Sequence, residues 1–145
     1  MKRIKPLLMA VGIAAATLLT SAPANAAPDC EMTVQAPIFG AGILNLRSCD
    51  SYDWADWDVD LIPDEIFAVR VDRTVWHAFP GSHGWRLMPG NKTADDMNNS
   101  IADGREAWWR TGSTRHLSVW VTGGTGSWCT SGQRGVGWSG VWRDC

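Results

Sequence analysis

The sequence predicts an all-β fold of short antiparallel strands in two repeated units, stapled by two disulfides. Three observations support it. Short apolar runs alternate with Gly, Asn, Asp and Pro clusters, and no stretch after residue 26 has the periodicity of a long amphipathic helix. Ten tryptophans among 145 residues supply enough large apolar side chains for a core. Two segments also share one order of strands, turns and tryptophans.

Apolar, β-branched runs predict the main strands. Residues 66–71 and 117–122 are such runs, and turn residues separate them from hairpin partners at 74–79 and 127–130. A short piece at 93–98 is the one segment that we predict to be helical. It is too short to define the fold.

The segment 55–61 alternates four apolar side chains with three aspartates, which predicts a strand with one buried and one solvent-facing side. Alternating carboxylates also occur in calcium loops. Such a loop needs Gly at its sixth position and Glu at its twelfth, where this chain has Leu61 and Phe67. We therefore expect a solvated strand face and no metal site.

The repeated units span about residues 58–92 and 107–145. Each contains an apolar strand, a turn, a strand with a central Trp, a second turn and a Gly-Trp pair. The tryptophans of the first unit are Trp76 and Trp85, and those of the second are Trp128 and Trp138. The separation between Trp76 and Trp128 differs by one residue from that between Trp85 and Trp138, and a change in turn length accounts for the difference.

The first 26 residues have the pattern of a secretory signal peptide. Three basic residues precede an apolar run at 7–19, and the sequence Ala24-Asn25-Ala26 offers a cleavage site. The apolar run is shorter than the ~20 residues that span a bilayer. We expect a secreted, extracellular protein with one all-β domain at residues 27–145.

The charge of the expected mature chain excludes two classes of partner. Residues 27–145 carry 10 basic and 15 acidic side chains, and nine of the basic ones are Arg. An acidic chain without a Lys/Arg run lacks the surface that binds phosphate backbones. We therefore expect no nucleic acid and no membrane partner.

All four cysteines lie in the part of the chain that we expect to be exported, where disulfides persist. Placement favours the local pairs Cys30–Cys49 and Cys129–Cys145, each stabilising by about 3 kcal/mol in the chain-entropy model. The rival pairing joins Cys30 to Cys145 and Cys49 to Cys129. No C-x-x-C pair occurs, which argues against a zinc ribbon or a thioredoxin-type site.

At the repeats, the chain resembles the blades of the tectonin-like and fucose-lectin-like β-propeller families. The run from Gly137 to Trp142, which reads GWSGVW, is the closest to the families' blade ending, and the resemblance covers about residues 58–145. It implies propeller-blade-like or sandwich-like units, glycan binding between units, and closure by a homo-oligomer. In the fucose-binding pattern, Arg70 stands for the Arg and Trp85 for the Trp, but His77 lies near the Glu position.

The predicted function is non-catalytic carbohydrate binding, because the flat apolar face of an indole covers the C–H face of a pyranose. We expect no cofactor. The zinc-protease and serine-hydrolase motifs are absent, and no spacing singles out a carboxylate pair for glycoside hydrolysis. The candidate glycan-binding residues are Arg70, Trp76, His77, Trp85, Trp128 and Trp138.

The alternative function is a secreted inhibitor or protein-interaction domain that acts on an extracellular protease or hydrolase. Its contact surface would contain Trp108 and Trp109, together with the acidic run at 56–60. Adjacent residues of a strand point to opposite faces, so we expect one of the two indoles to be exposed.

Overall fold

The computed structural model describes residues 31–32, 39–40, 42–48, 51–90, 92–98, 106–121 and 126–145. The predicted signal peptide and the predicted Cys30–Cys49 disulfide lie outside the described residues. The described parts of the chain contain strands, turns and loops and no helix, which confirms the all-β prediction. Nothing in those parts forms a helix long and apolar enough to cross a membrane.

Eleven strands are described, arranged in two antiparallel sheets and one two-stranded pair. The pair is β1–β2, one sheet has the order β3-β4-β5-β6, and the other has the order β11-β10-β9-β7, with β8 also paired to β9. The strands are β1 Glu31–Met32, β2 Leu44–Asn45, β3 Tyr52–Ala55, β4 Glu65–Val69, β5 Val75–Ala78, β6 Arg86–Leu87, β7 Asp96–Met97, β8 Trp108–Thr111, β9 Thr114–Val121, β10 Gly126–Gln133 and β11 Gly137–Asp144.

The turn between β4 and β5 fixes the register of the four-stranded sheet. Asp72 Oδ1 accepts hydrogen bonds from the backbone N–H and the hydroxyl of Thr74. These bonds hold the pKa of the Asp72 carboxyl below its usual value. The turn aligns Phe67 with His77 and Val69 with Val75 across the two strands.

The five-stranded sheet is organised around β9. This strand pairs with β10 along its whole length, and its other edge pairs with β8 near its start and with β7 near its end. A bulge between Thr130 and Gly132 interrupts the β10–β11 register. The predicted Cys129–Cys145 disulfide is present and joins β10 to the residue after β11.

The main hydrophobic cluster contains side chains from both sheets. Phe67, Val69 and Val75 of the four-stranded sheet join Leu117 and Val119 of β9. Burying each such side chain stabilises the fold by roughly 1.5–3 kcal/mol. Two smaller clusters lie against other residues of the four-stranded sheet. All five residues of β4 are consequently buried, which explains why β4 is a continuous apolar run after its first residue.

The predicted strand at 55–61 is wrong. Strand β3 ends at Ala55 and a loop follows, in which Val59 is 73% exposed and Leu61 is 84% exposed. The cause is Asp56, which is buried and accepts hydrogen bonds from the backbone N–H groups of Val59, Asp60 and Leu61. An aspartate that satisfies three amides favours a turn over an extended strand.

The predicted helix at 93–98 is also wrong, because the segment is extended and pairs with β9 and with the residue before β5. Thr93 forms a bridge with Thr74, and Asp96 and Met97 form β7. Hydrogen bonds from the segment to the carbonyls of Trp120 and Ser118 continue the ladder. Tertiary pairing here overrides a weak local preference for helix.

Candidate functional site

A cavity of about 1040 Å³ is lined by residues of both sheets and of the loops beside them. Its size is that of a small-molecule or oligosaccharide site. The walls combine aromatic and charged side chains. The aromatic lining residues are Trp57, Trp76, His77, Phe79, Trp85 and Trp138, and the charged ones are Asp64, Glu65, Arg86, Arg115 and Arg134.

Glu65, the first residue of β4, is the buried carboxylate of the cavity, with 1% of its surface exposed. Its Oε1 lies 2.6 Å from His77 Nδ1 and accepts from Trp138 Nε1 at 2.9 Å. Its Oε2 accepts from Arg115 Nη1 at 2.9 Å and from Trp57 Nε1 at 3.2 Å. A buried carboxylate is stable only when its charge and lone pairs are met in this way.

Arg115 of β9 supplies the positive charge that Glu65 needs. The guanidinium lies over the rings of Trp57 and Trp138, at 5.5 and 5.2 Å from their centroids. Its Nη2 also donates to the Gln133 carbonyl at 3.2 Å. This arrangement neutralises the carboxylate and holds two indoles of the cavity wall by hydrogen bonding and cation–π attraction.

His77 is held with its Nε2 left for a ligand. Its ring stacks on Phe67 with an interplanar angle of 8°, and Nδ1 faces Glu65. Glu65 is the hydrogen-bond partner of Nδ1, so Nε2 is the ring nitrogen left for a further contact. No hydrogen bond of Nε2 occurs among the described residues. Nε2 can form one with a ligand hydroxyl.

Trp76 and Trp85 are also fixed by their indole N–H groups. Trp76 Nε1 donates to the Thr74 hydroxyl at 2.7 Å, and Trp85 Nε1 donates to the Gly42 carbonyl at 2.9 Å. Both rings are partly buried. Because their polar edges are engaged, what these side chains can offer a ligand is an apolar ring face, and for Trp76 this is the face opposite the one that Arg70 covers.

The structure brings together four of the six predicted glycan-binding residues, Trp76, His77, Trp85 and Trp138. The other two are not lining residues. Arg70 lies over the Trp76 ring at 5.3 Å and pairs with Asp72. Trp128 packs against the main cluster, with Lys92 Nζ 3.4 Å from its ring centroid.

Trp108 and Trp109 point in opposite directions from β8. Trp108 packs edge-on against Trp57 at 5.0 Å, within the main cluster. Trp109 is 40% exposed and stacks on His116 with centroids 4.9 Å apart. Of the two, Trp109 is therefore the residue available to a partner.

Three carboxylates, those of Asp56, Asp58 and Asp64, approach within 4.8 Å of one another beside the cavity. The oxygens of Asp56 are already engaged with the loop amides. Desolvation raises the pKa of the Asp56 carboxyl, but the hydrogen bonds from Leu61, Asp60 and Val59 outweigh it and the pKa is lowered. The cluster is thus explained by loop structure, and the prediction of no metal site stays a prediction.

Three charged residues of the cavity, Glu65, Arg86 and Arg115, were not predicted from the sequence. A signal existed for Glu65, because a carboxylate that opens an otherwise apolar strand must find donors if the strand is buried. For Arg115, fifty residues further along the chain, no local pattern indicates that it meets Glu65.

Comparison with protein-family models, curated protein sequences and solved structures finds no match for this chain.

Proposed function

We propose that this protein is a secreted, non-catalytic carbohydrate-binding protein and that the glycan binds in the cavity beside Glu65. The observation that carries the proposal is the aromatic wall. Trp76, Trp85 and Trp138 line one cavity with their indole N–H groups engaged. Arg70 covers one face of Trp76 and Arg115 one face of Trp138, so the sugar C–H groups would meet the opposite faces of these two rings. Rigid rings bind at a lower entropic cost than mobile ones.

Polar groups beside this wall support the same proposal. His77, Arg86 and Arg134 line the cavity, and their imidazole and guanidinium groups are of the kinds that bond sugar hydroxyls. All four hydrogen-bond partners of the Glu65 carboxylate belong to the protein, so Glu65 holds the side chains of the cavity wall in position. A carboxylate engaged in this way is a poor general base, which supports binding without catalysis.

We further propose that the two repeated units form a sandwich-like arrangement, in which each sheet contains the strands of one unit. Support comes from the main cluster, to which both sheets contribute side chains. In this arrangement the apolar faces of the units cover each other, and a closed ring of subunits is not needed. A monomeric molar mass in solution is expected, and a stable ring of copies would contradict the arrangement.

The test of glycan binding is a glycan array probed with the mature, disulfide-intact protein, followed by calorimetry on the best ligand. We expect Trp85→Ala to weaken binding about tenfold, which corresponds to the loss of an indole–sugar contact of about 1.4 kcal/mol. Trp120→Ala is the matched control, because Trp120 is 44% exposed and does not line the cavity. Absence of any sugar ligand, or equal losses in both variants, would refute the proposal.

A second function, inhibition of an extracellular protease or hydrolase, is favoured by the loop at 56–64. Val59, Leu61 and Ile62 are 73%, 84% and 57% exposed, on a loop whose backbone Asp56 fixes. Val59 and Leu61 also have positive φ angles of 65° and 68°, a costly conformation for these residues. A fixed loop that exposes apolar side chains is a feature of binding surfaces.

This second function is tested by assaying a panel of extracellular proteases and glycosidases with the protein present. Leu61→Asp should abolish any inhibition. The matched control is Ile43→Asp, since Ile43 is 64% exposed and lies outside the loop. If no enzyme in the panel is inhibited, or if both variants lose inhibition alike, the loop is not an inhibitory surface.

A further inference from the structure

Arg86 differs from the other two arginines of the cavity in having no carboxylate partner among the described residues. The residue lies on β6, the edge strand of the four-stranded sheet, directly opposite His77. Its Nε donates to the Ser82 carbonyl at 3.0 Å. Among the described residues, Arg86 makes no salt bridge and its two terminal amino groups have no hydrogen-bond acceptor.

The other two arginines of the cavity are each paired with a carboxylate. Arg115 pairs with Glu65 at 2.9 Å, and Arg134 lies 3.4 Å from Asp58. Asp64 Oδ2 accepts from the backbone N–H of Trp57 at 2.7 Å. Arg86 is thus the cation of the cavity wall without a protein counter-charge.

The fixed Nε of Arg86 prepares its guanidinium for one kind of ligand. Because the Nε–H of Arg86 is bonded to the Ser82 carbonyl, the plane of the guanidinium is oriented, and its two terminal amino groups present parallel N–H donors. A carboxylate matches this fork with two hydrogen bonds, whereas a hydroxyl uses only one donor. His77 lies directly across the strand pair and also lines the cavity.

We propose that the glycan bound in the cavity is acidic and that Arg86 binds its carboxylate, as a uronic acid or another carboxylated sugar provides. This inference rests on the proposed glycan-binding function and specifies its ligand class. The aromatic wall contacts the apolar face of the sugar ring. The carboxylate of the sugar binds the Arg86 guanidinium at the edge of the sheet. Neutral sugars keep the stacking contact and lose the charge-assisted pair.

The experiment compares matched ligand pairs, each an acidic oligosaccharide and its carboxyl-reduced, neutral form, by array and then by calorimetry. We expect each reduced form to bind about tenfold more weakly, because a charge-assisted bidentate contact is lost. Binding to the acidic form should also weaken as salt is raised. Equal binding of the two forms overturns this inference and leaves the proposed function standing, whereas no binding of either form overturns both.

Variants then assign the selectivity to Arg86. Arg86→Gln should reduce the ratio of the affinities for the acidic and the neutral form to about one. Arg86→Lys, which keeps the charge without the fork, should retain part of the preference. The matched control is Arg143→Gln, an exposed arginine on β11 outside the cavity. A preference that survives in Arg86→Gln, or that is lost equally in the control, overturns the assignment.

Discussion

Replacement of Glu65 by glutamine should destabilise the fold strongly. The carboxylate receives two donors on each oxygen, and the side chain is 1% exposed. In Glu65→Gln, one oxygen becomes an amide NH₂ that cannot accept, so two of the four donors lose their acceptor. If the lost oxygen is Oε2, the donors stranded are those of Arg115 and Trp57.

The expected magnitude follows from the burial of these groups. A buried donor without an acceptor costs about 1–3 kcal/mol, and removing one partner of a buried ion pair costs about 3–5 kcal/mol. We therefore expect Glu65→Gln to lower the free energy of unfolding by about 3–5 kcal/mol. The two estimates describe overlapping effects and are not additive.

Urea unfolding followed by tryptophan fluorescence measures this loss, and an unchanged m-value shows that the midpoint reports stability. Glu106→Gln is the matched control, because Glu106 is exposed, and we expect it to change stability by less than about 0.5 kcal/mol. A loss below about 1 kcal/mol in Glu65→Gln would show that the carboxylate does not brace the cavity.

Two further predictions concern a loop and a glycine. Asp56→Ala should reduce the hydrogen-exchange protection of the loop amides, including that of Leu61. In the native protein, this protection should be complete above the ordinary Asp pKa of 3.8. It should be lost as the pH falls through the pKa of Asp56 in the folded state, which is lower. Unchanged protection in the variant would contradict this role of Asp56. Gly90→Ala should lower the free energy of unfolding in urea by about 1–3 kcal/mol more than Gly135→Ala does. Both glycines have positive φ, but of the two only Gly90 would place its new Cβ in overlap with the Gly140 carbonyl. Equal losses of stability in the two variants would contradict this close approach.

The strands could be predicted where local chemistry decides them. Apolar runs bounded by turn residues gave β4 and β9 to within three residues at either end. The two errors have non-local or competing causes. Alternation at 55–61 takes no account of an aspartate that bonds three amides, and the extended segment at 93–98 depends on β9, which lies some twenty residues away.

The site was predictable only in part, for a related reason. Tryptophan chemistry and the repeat pointed to Trp76, Trp85 and Trp138, which share the cavity. The contacts that hold this wall join residues distant in sequence, such as Glu65 with Arg115 and Glu65 with Trp138, which is 73 residues away. No local pattern encodes such pairs, so the contacts of the Glu65 carboxylate can be recognised only when both sheets are in place.

The two-sided pairing of β9 has a consequence for the order of folding. The hairpins β8–β9, β9–β10 and β10–β11 join neighbouring strands of the chain and close over short distances. The docking of β7 on β9 spans a longer separation and costs more loop-closure entropy. We expect the hairpins around β9 to assemble first, β7 to dock later, and the amides at the centre of β9 to be the last to exchange in the native protein.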